Sequence, residues 1–207
     1  MALYLGHFDF SRPLLWVAPG VLTAAECGDI VRGLSGATWL AATVNGQGGR
    51  EVNAQLRNNS TAVLRGSAWG AELWKRVLPH VPATMSREDE RSGDRVSLTP
   101  CGVFEPLRVY RYEVGQHFGL HQDQSYFRDD GARSLLTLLV YLNDDFEGGE
   151  TEFPEQDRVI APRTGDLLLF QHMLLHAGRA VTRGTKFVLR TDVLFSPAAV
   201  APPGPLS

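Results

Sequence analysis

The chain has 207 residues, 43% of them apolar and 21% charged, with a formal net charge of −3; these proportions suit one folded domain able to bury a full core. They exclude the basic field of a sequence-independent nucleic-acid binder, and no apolar run approaches the roughly 18 residues of a membrane span. The first ten residues lack the basic and long apolar regions of a signal peptide, so a cytoplasmic protein is expected, with Cys27 and Cys101 as free thiols and no CxxC pair to suggest structural zinc.

No internal repeat is present. Leu14-Leu-Trp-Val-Ala-Pro-Gly reads as a strand closed by a Pro-Gly turn. A helix follows Thr23, a suitable N-cap with Glu26 at capping-box spacing. Residues 44–60, polar and glycine-rich, are expected to form a long mobile loop. A second helix is predicted over about 66–79, with Trp69, Leu73 and Val77 on one face. The charged stretch 86–96 reads as a solvated surface loop. From Leu107 onward short strands alternate with turns. Leu107–Glu113 is one. Leu135–Leu142 is apolar on both faces, as in a strand held between two layers. Strands are also expected at Thr151–Phe153, Arg158–Ala161, Asp166–Phe170 and Lys186–Phe195, a pattern of sandwiches and barrels.

His121 and Asp123 stand at i and i+2, which on a strand places imidazole and carboxylate on one face. His176, 53 residues beyond Asp123, follows the apolar strand Asp166–Phe170 and is the candidate third ligand. Two histidines and one carboxylate on one face of a metal leave three positions open, an arrangement suited to non-haem iron(II) that must take up oxygen and a cosubstrate together. Lys186, Val188 and Arg190 share one strand face. A cation on an inward face is costly unless it meets an anion. A dicarboxylate that chelates the metal at one end could supply that anion at the other, with Tyr112 donating a phenolic hydrogen bond.

These stretches run in a recognisable order: Tyr112-x-x-Gly-Gln-x-Phe-x-x-His-x-Asp, Leu138-Leu-Val-Tyr-Leu-Asn, Gly148-Gly-Glu-Thr-Glu-Phe, Gly165-Asp-Leu-Leu-Leu-Phe, His176-x-Gly and Gly184-x-Lys. Over about residues 108–195 the chain resembles the catalytic domain of prolyl 4-hydroxylase-like, iron(II)- and 2-oxoglutarate-dependent oxygenases. The resemblance implies an α+β, mainly β fold, a cupin-like double-stranded β-helix or jelly roll, supported by helices from the N-terminal half. It places a catalytic core at about 105–196 within the one domain, 1–196, that the chain's length suggests, and the proline-rich composition of 197–207 is expected to give a disordered tail.

It also implies that His121, Asp123 and His176 bind Fe(II), that Lys186 holds the distal carboxylate of 2-oxoglutarate with Tyr112 assisting, and that Arg190 is the competing anchor, read here as pairing with Asp192 or another acid. Tyr141 and Thr151 are further candidates for the cosubstrate pocket, and ascorbate is a candidate reductant. The implied reaction couples oxidative decarboxylation of 2-oxoglutarate to hydroxylation of a C–H bond in a small molecule or a peptidyl residue such as proline. Retention of Asp123, which halogenating relatives replace, favours hydroxylation. The partners are then 2-oxoglutarate, O2 and an unidentified substrate, without nucleic acid or membrane. In related enzymes the region matching 44–60 folds over the substrate. Arg57, Asn58 and Asn59 are therefore candidate contacts, with Tyr126 and Arg128 on a second wall.

Plainer readings apply elsewhere. His117 and His172 lie four residues from the presumed ligands, but the flanking strand pattern argues against helical zinc pairs. His7 and His80 read as ordinary histidines, Asp144, Asp145 and Glu147 as turn acids, and Trp69 and Trp74 as core. Gly148-Gly149 needs only a turn. A non-catalytic cupin-like binding protein is the alternative to an enzyme. A zinc hydrolase is the third reading and lacks a general base at a motif spacing.

Overall fold

The computed structural model describes residues 8–46, 49–64, 68–88, 93 and 95–197. Among them, Leu15–Ala18, Leu167–Gln171, Arg133–Tyr141, Lys186–Pro197, Arg108–Tyr112, Ser60–Val63 and Leu40–Ala41 lie side by side, in that order, in a large antiparallel sheet. Arg95–Val103 pairs with the far end of Lys186–Pro197 and carries Met85–Glu88 on its outer edge. A smaller sheet runs Arg158–Ile160, Thr151–Phe153, His176–Gly178 and Phe118–His121. The chain passes repeatedly from one sheet to the other, which is the expected double-stranded β-helix.

Period-2 alternation sorts the side chains of the large sheet into two cores. Leu136, Leu138 and Val140, Leu167 and Leu169, and Leu189 and Val193 pack on one face with Cys27, Ile30, Leu73 and Val77 of the two helices, Ala24–Gly33 and Ala68–Val77. Their sequence neighbours Tyr141, Leu168, Phe170 and Val188 pack on the other face with Phe153 and Ile160 of the small sheet. A fully buried Leu or Phe contributes about 2 kcal/mol. A one-residue slip would exchange the two sets, so the register is strongly specified. That register also sends Thr137, Leu139, Lys186, Val188 and Arg190 to the wall of an inner cavity.

The first helix starts as expected. Thr23 Oγ1 accepts from the Glu26 amide and Glu26 Oε2 accepts from the Thr23 amide. Glu26 also takes two hydrogen bonds from Arg76, tying the helices together; Arg76 first and Thr23 next hold its carboxyl down at about 2. Gly165, at φ +85°, turns the chain into Leu167–Gln171 so tightly that a Cβ there would sit 1.9 Å from the Leu22 carbonyl oxygen.

Two expected loops are corrected. The 44–60 stretch contains a small hairpin, Val44–Gly46 against Gly49–Glu51, and then feeds Ser60–Val63 into the large sheet. The 86–96 stretch is flanked by Met85–Glu88 and Arg95–Val103, which pair as an edge hairpin. The second helix covers Ala68–Val77 and continues as a 3-10 turn over Leu78–His80. Positions 66–67, His7, residues 89–92 and the expected tail beyond Pro197 lie outside the described residues. Cys27 and Cys101 are free thiols. Among the described residues, no helix is long and apolar enough to cross a membrane.

Candidate active site

His121 ends its strand, and in the ladder it stands directly opposite His176 of the neighbouring strand. Asp123 lies two residues past the strand end, where its amide donates to the His172 carbonyl at 3.0 Å. These links converge three side chains. His121 Nε2 lies 3.8 Å from Asp123 Oδ1, His176 Nε2 lies 3.9 Å from Asp123 Oδ2, and one potential ligand atom from each residue falls within 4.8 Å of the others. Each histidine turns its Nδ1 to a carbonyl two residues back, His121 to Gly119 at 2.8 Å and His176 to Leu174 at 2.9 Å. A carbonyl can only accept, so each Nδ1 carries the proton and each Nε2 lone pair is left for a ligand.

Burial first, and His176 next, push the His121 imidazole down to about 4; burial likewise lowers His176. Burial alone would raise the Asp123 carboxyl, but Arg190 first, then His176 and His121, pull it well below the usual carboxylate range. The donor set near neutral pH is therefore two neutral imidazoles and one carboxylate, the protonation states that a divalent cation requires.

The triad opens on a cavity of about 370 Å³, also lined by Arg57, Tyr110, Tyr112, Thr151, Lys186 and Arg190. Lys186 pairs in register with Tyr112 and is 4% exposed. Its Nζ donates to the Gly149 carbonyl at 2.6 Å and lies 5.2 and 5.5 Å from the Tyr112 and Tyr141 ring centres. Burial pushes its ammonium down to about 7, with Glu150 opposing weakly. An ammonium has three N–H donors, and this one has a single acceptor among the described residues, so the position suits an incoming carboxylate.

Arg190 lies two positions along the same face but is already engaged. It reaches Asp192 at 3.0 Å and Asp123 at 3.4 Å. Tyr141 and Thr151 hydrogen-bond each other at 2.8 Å behind Lys186, and Thr151 reaches the cavity wall.

Arg57 is 7% exposed, and its guanidinium is held 4.4 and 4.3 Å from the Tyr110 and Phe118 ring centres. It donates to Asn59 Oδ1 at 2.8 Å, while its Nη2 has no hydrogen-bond partner among the described residues. Asn59 thus braces Arg57 from behind, and Asn58 Oδ1 accepts from the His117 amide. Tyr126 and Arg128 stand off the cavity: Tyr126 packs on Phe104, and Arg128 is an exposed partner of Asp130. His117 Nε2 meets the Gln55 carbonyl.

Sequence reasoning missed three residues around Asp123. Thr137 donates to Asp123 Oδ2, and His172 bridges Thr137 and Ser134. Thr137 is the hydroxyl in an otherwise apolar run, and that was its only signal. It also missed Phe118, whose ring stacks on His121 at 3.5 Å between centres.

Residues 107–191 match the model of the 2OG-Fe(II) oxygenase superfamily. Over this stretch the chain is similar to that superfamily. The chain is 35% identical over 107 residues to a putative prolyl 4-hydroxylase of Acanthamoeba polyphaga mimivirus, covering 43% of this chain and 44% of that one. It is 27% identical over 213 residues to probable prolyl 4-hydroxylase 4 of Arabidopsis thaliana, covering 86% and 66%. It thus spans less than half of the mimivirus relative and just under two thirds of the plant one. Two solved structures share the fold. The 2OG complex of the viral collagen prolyl hydroxylase of Paramecium Bursaria Chlorella virus-1 aligns with a TM-score of 0.55 at 21% identity, covering 90% of this chain and 98% of that one. The prolyl hydroxylase of Trichoplax adhaerens, in complex with a hypoxia inducible factor oxygen degradation domain peptide fragment, aligns with a TM-score of 0.62 at 18% identity, covering 89% and 85%.

The superfamily implies iron(II) and 2-oxoglutarate, and this fold offers donors for both. The two Nε2 atoms and the Asp123 carboxylate suit the ion. The under-satisfied Lys186 ammonium suits a dicarboxylate.

Proposed function

We propose that the chain is an iron(II)- and 2-oxoglutarate-dependent oxygenase that hydroxylates a C–H bond. The observation that carries this reading is the convergence, on one cavity, of the His121–Asp123–His176 donor set and the buried Lys186. When bound, the iron would supply the chemistry that divides O2 between 2-oxoglutarate, released as succinate and carbon dioxide, and the C–H bond, which becomes C–OH. The protein's own residues bind and orient. His121, Asp123 and His176 hold the ion, with protons fixed on the far nitrogens of both rings. Lys186 holds the distal carboxylate of 2-oxoglutarate, with Tyr112 beside it. Leu139 and Val188 give that stretch of wall an apolar lining that excludes water.

For the substrate, a peptidyl residue such as proline is the narrower reading, supported by the prolyl hydroxylases among the relatives. Thr43, Val44, Leu56 and Arg57 build the cavity wall nearest the 44–60 segment and are the surfaces against which such a residue would seat. A small molecule is the broader alternative.

The test is anaerobic addition of iron(II) and then 2-oxoglutarate to the folded protein. A visible charge-transfer band is expected, absent in His176→Ala. Folded wild-type protein without the band refutes the proposal. Stimulation of succinate formation by proline-containing peptides, but not by free amino acids, supports the narrower substrate reading; the reverse pattern overturns it.

A further inference from the structure

His172 is 3% exposed, lies against the metal-binding residues, and contributes no atom to the triad. Every polar atom of its side chain is engaged. Nδ1 meets Thr137 Oγ1 at 2.8 Å and Nε2 meets Ser134 Oγ at 2.9 Å. Thr137 Oγ1 in turn contacts Asp123 Oδ2, and Ser134 Oγ receives the Tyr126 amide at 2.8 Å.

Donor and acceptor rules set the direction of this chain. A carboxylate only accepts, so the Thr137 hydroxyl spends its one proton on Asp123. Thr137 must then accept from His172, which places the ring proton on Nδ1. Nε2 is left as an acceptor, so the Ser134 hydroxyl donates to it, and Ser134 accepts from Tyr126. Four hydrogen bonds thus point one way, from the Tyr126 amide to the Asp123 carboxylate. The His172 carbonyl also receives the Asp123 amide at 3.0 Å. His172 therefore holds Asp123 by backbone and side chain together.

We propose that His172 is a positioning residue for the metal site. Acting through Thr137, it fixes the rotamer of the Asp123 carboxylate and couples it to the segment that begins at Tyr126. The Thr137 hydroxyl has two acceptors within reach, Asp123 Oδ2 and His172 Nδ1, and a proton on Nδ1 removes the second, so the hydroxyl donates to Asp123. Chains of this kind polarise along their length and lock a ligand's orientation. The inference rests on the proposed iron site but makes a separate claim about it.

The test is iron(II) affinity, measured anaerobically without 2-oxoglutarate by competition with a chromophoric chelator, alongside thermal melting. Thr137→Val and His172→Leu are each expected to weaken iron(II) binding about 10- to 100-fold, the usual loss for an outer partner of a ligand. The double variant is expected to bind no more weakly than Thr137→Val alone, because His172 acts only through that hydroxyl. His172→Asn keeps an N–H near the Nδ1 position and is expected to recover most of the loss. His172→Gln moves its amide toward Ser134 and is expected to recover little.

A His172→Leu variant with wild-type iron affinity, or strictly additive losses in the double variant, overturns the proposal. If His172→Leu does not fold, the Asn and Gln variants decide, and equal affinities in those two overturn it. A wild-type protein that binds no iron(II) sinks the oxygenase reading as well, whereas unaffected variants of an iron-binding wild type sink this inference alone.

Discussion

If Lys186 anchors 2-oxoglutarate as proposed, its buried ammonium makes cosubstrate affinity depend on pH in a calculable way. Burial takes it from 10.5 to about 7, a penalty on the charged form on the order of 5 kcal/mol. A carboxylate seated against it restores the charge, so the complex keeps its proton to higher pH than the free protein does. Anion binding is therefore at full strength below pH 7 and weakens as pH rises through and beyond it. If only the protonated fraction binds, affinity falls about 25-fold between pH 6.5 and 8.5, and binding at pH 7 takes up roughly half a proton.

Neighbouring groups stay out of this window: the His121 imidazole is pushed down to about 4, and burial pushes the Tyr112 and Tyr141 phenols up. Anaerobic titration of 2-oxoglutarate across this range, followed by the visible band, measures the slope. Calorimetry in two buffers of different ionisation enthalpy counts the proton. Lys186→Met is expected to bind weakly at every pH, with no slope. A flat wild-type profile, or a slope that survives in Lys186→Met, refutes the reasoning.

Arg190→Met removes the cation between Asp123 and the buried Asp192. It is expected to lower stability by about 3 kcal/mol or more, read by denaturant melting, while weakening 2-oxoglutarate binding less than Lys186→Met does; the opposite order makes Arg190 the anchor. Gly165→Ala forces a Cβ onto the Leu22 carbonyl at a positive φ. It is expected to cost about 2 kcal/mol or more in the same melts, with unchanged iron(II) affinity per folded molecule.

What could be read in advance had a local physical signature. Strand alternation made His121 and Asp123 a pair, and the long apolar runs located the strands that form both cores. The Thr23–Glu26 capping box marked the first helix at its true start. The 44–60 hairpin escaped because its strands are three residues each and glycine-rich, with no apolar alternation to show them. Met85–Glu88 and Arg95–Val103 escaped because polar and charged edge strands look like solvated loops. His172 and Thr137 are 35 residues apart, and nothing in their spacing announces contact. The pairing of Arg190 with Asp123 and Asp192, which supports Lys186 as the proposed anchor, is a fact of the third dimension. Tyr126, a candidate substrate contact, contributes its amide to the hydrogen-bond chain behind Asp123, which its sequence position does not reveal.

The facing position of His121 and His176 has a consequence for the molecule's softness. Their strands are four and three residues long, too short for backbone pairing alone to resist fraying. An ion held by both imidazoles cross-links adjacent strands at the rim of the small sheet, and its binding energy becomes part of what keeps that rim closed. Ion loss then removes that cross-link and leaves the pairing of the two strands to hold the rim. The amides of Phe118–His121 and His176–Gly178 are then expected to exchange their hydrogens with water faster in the metal-depleted protein than in the loaded one.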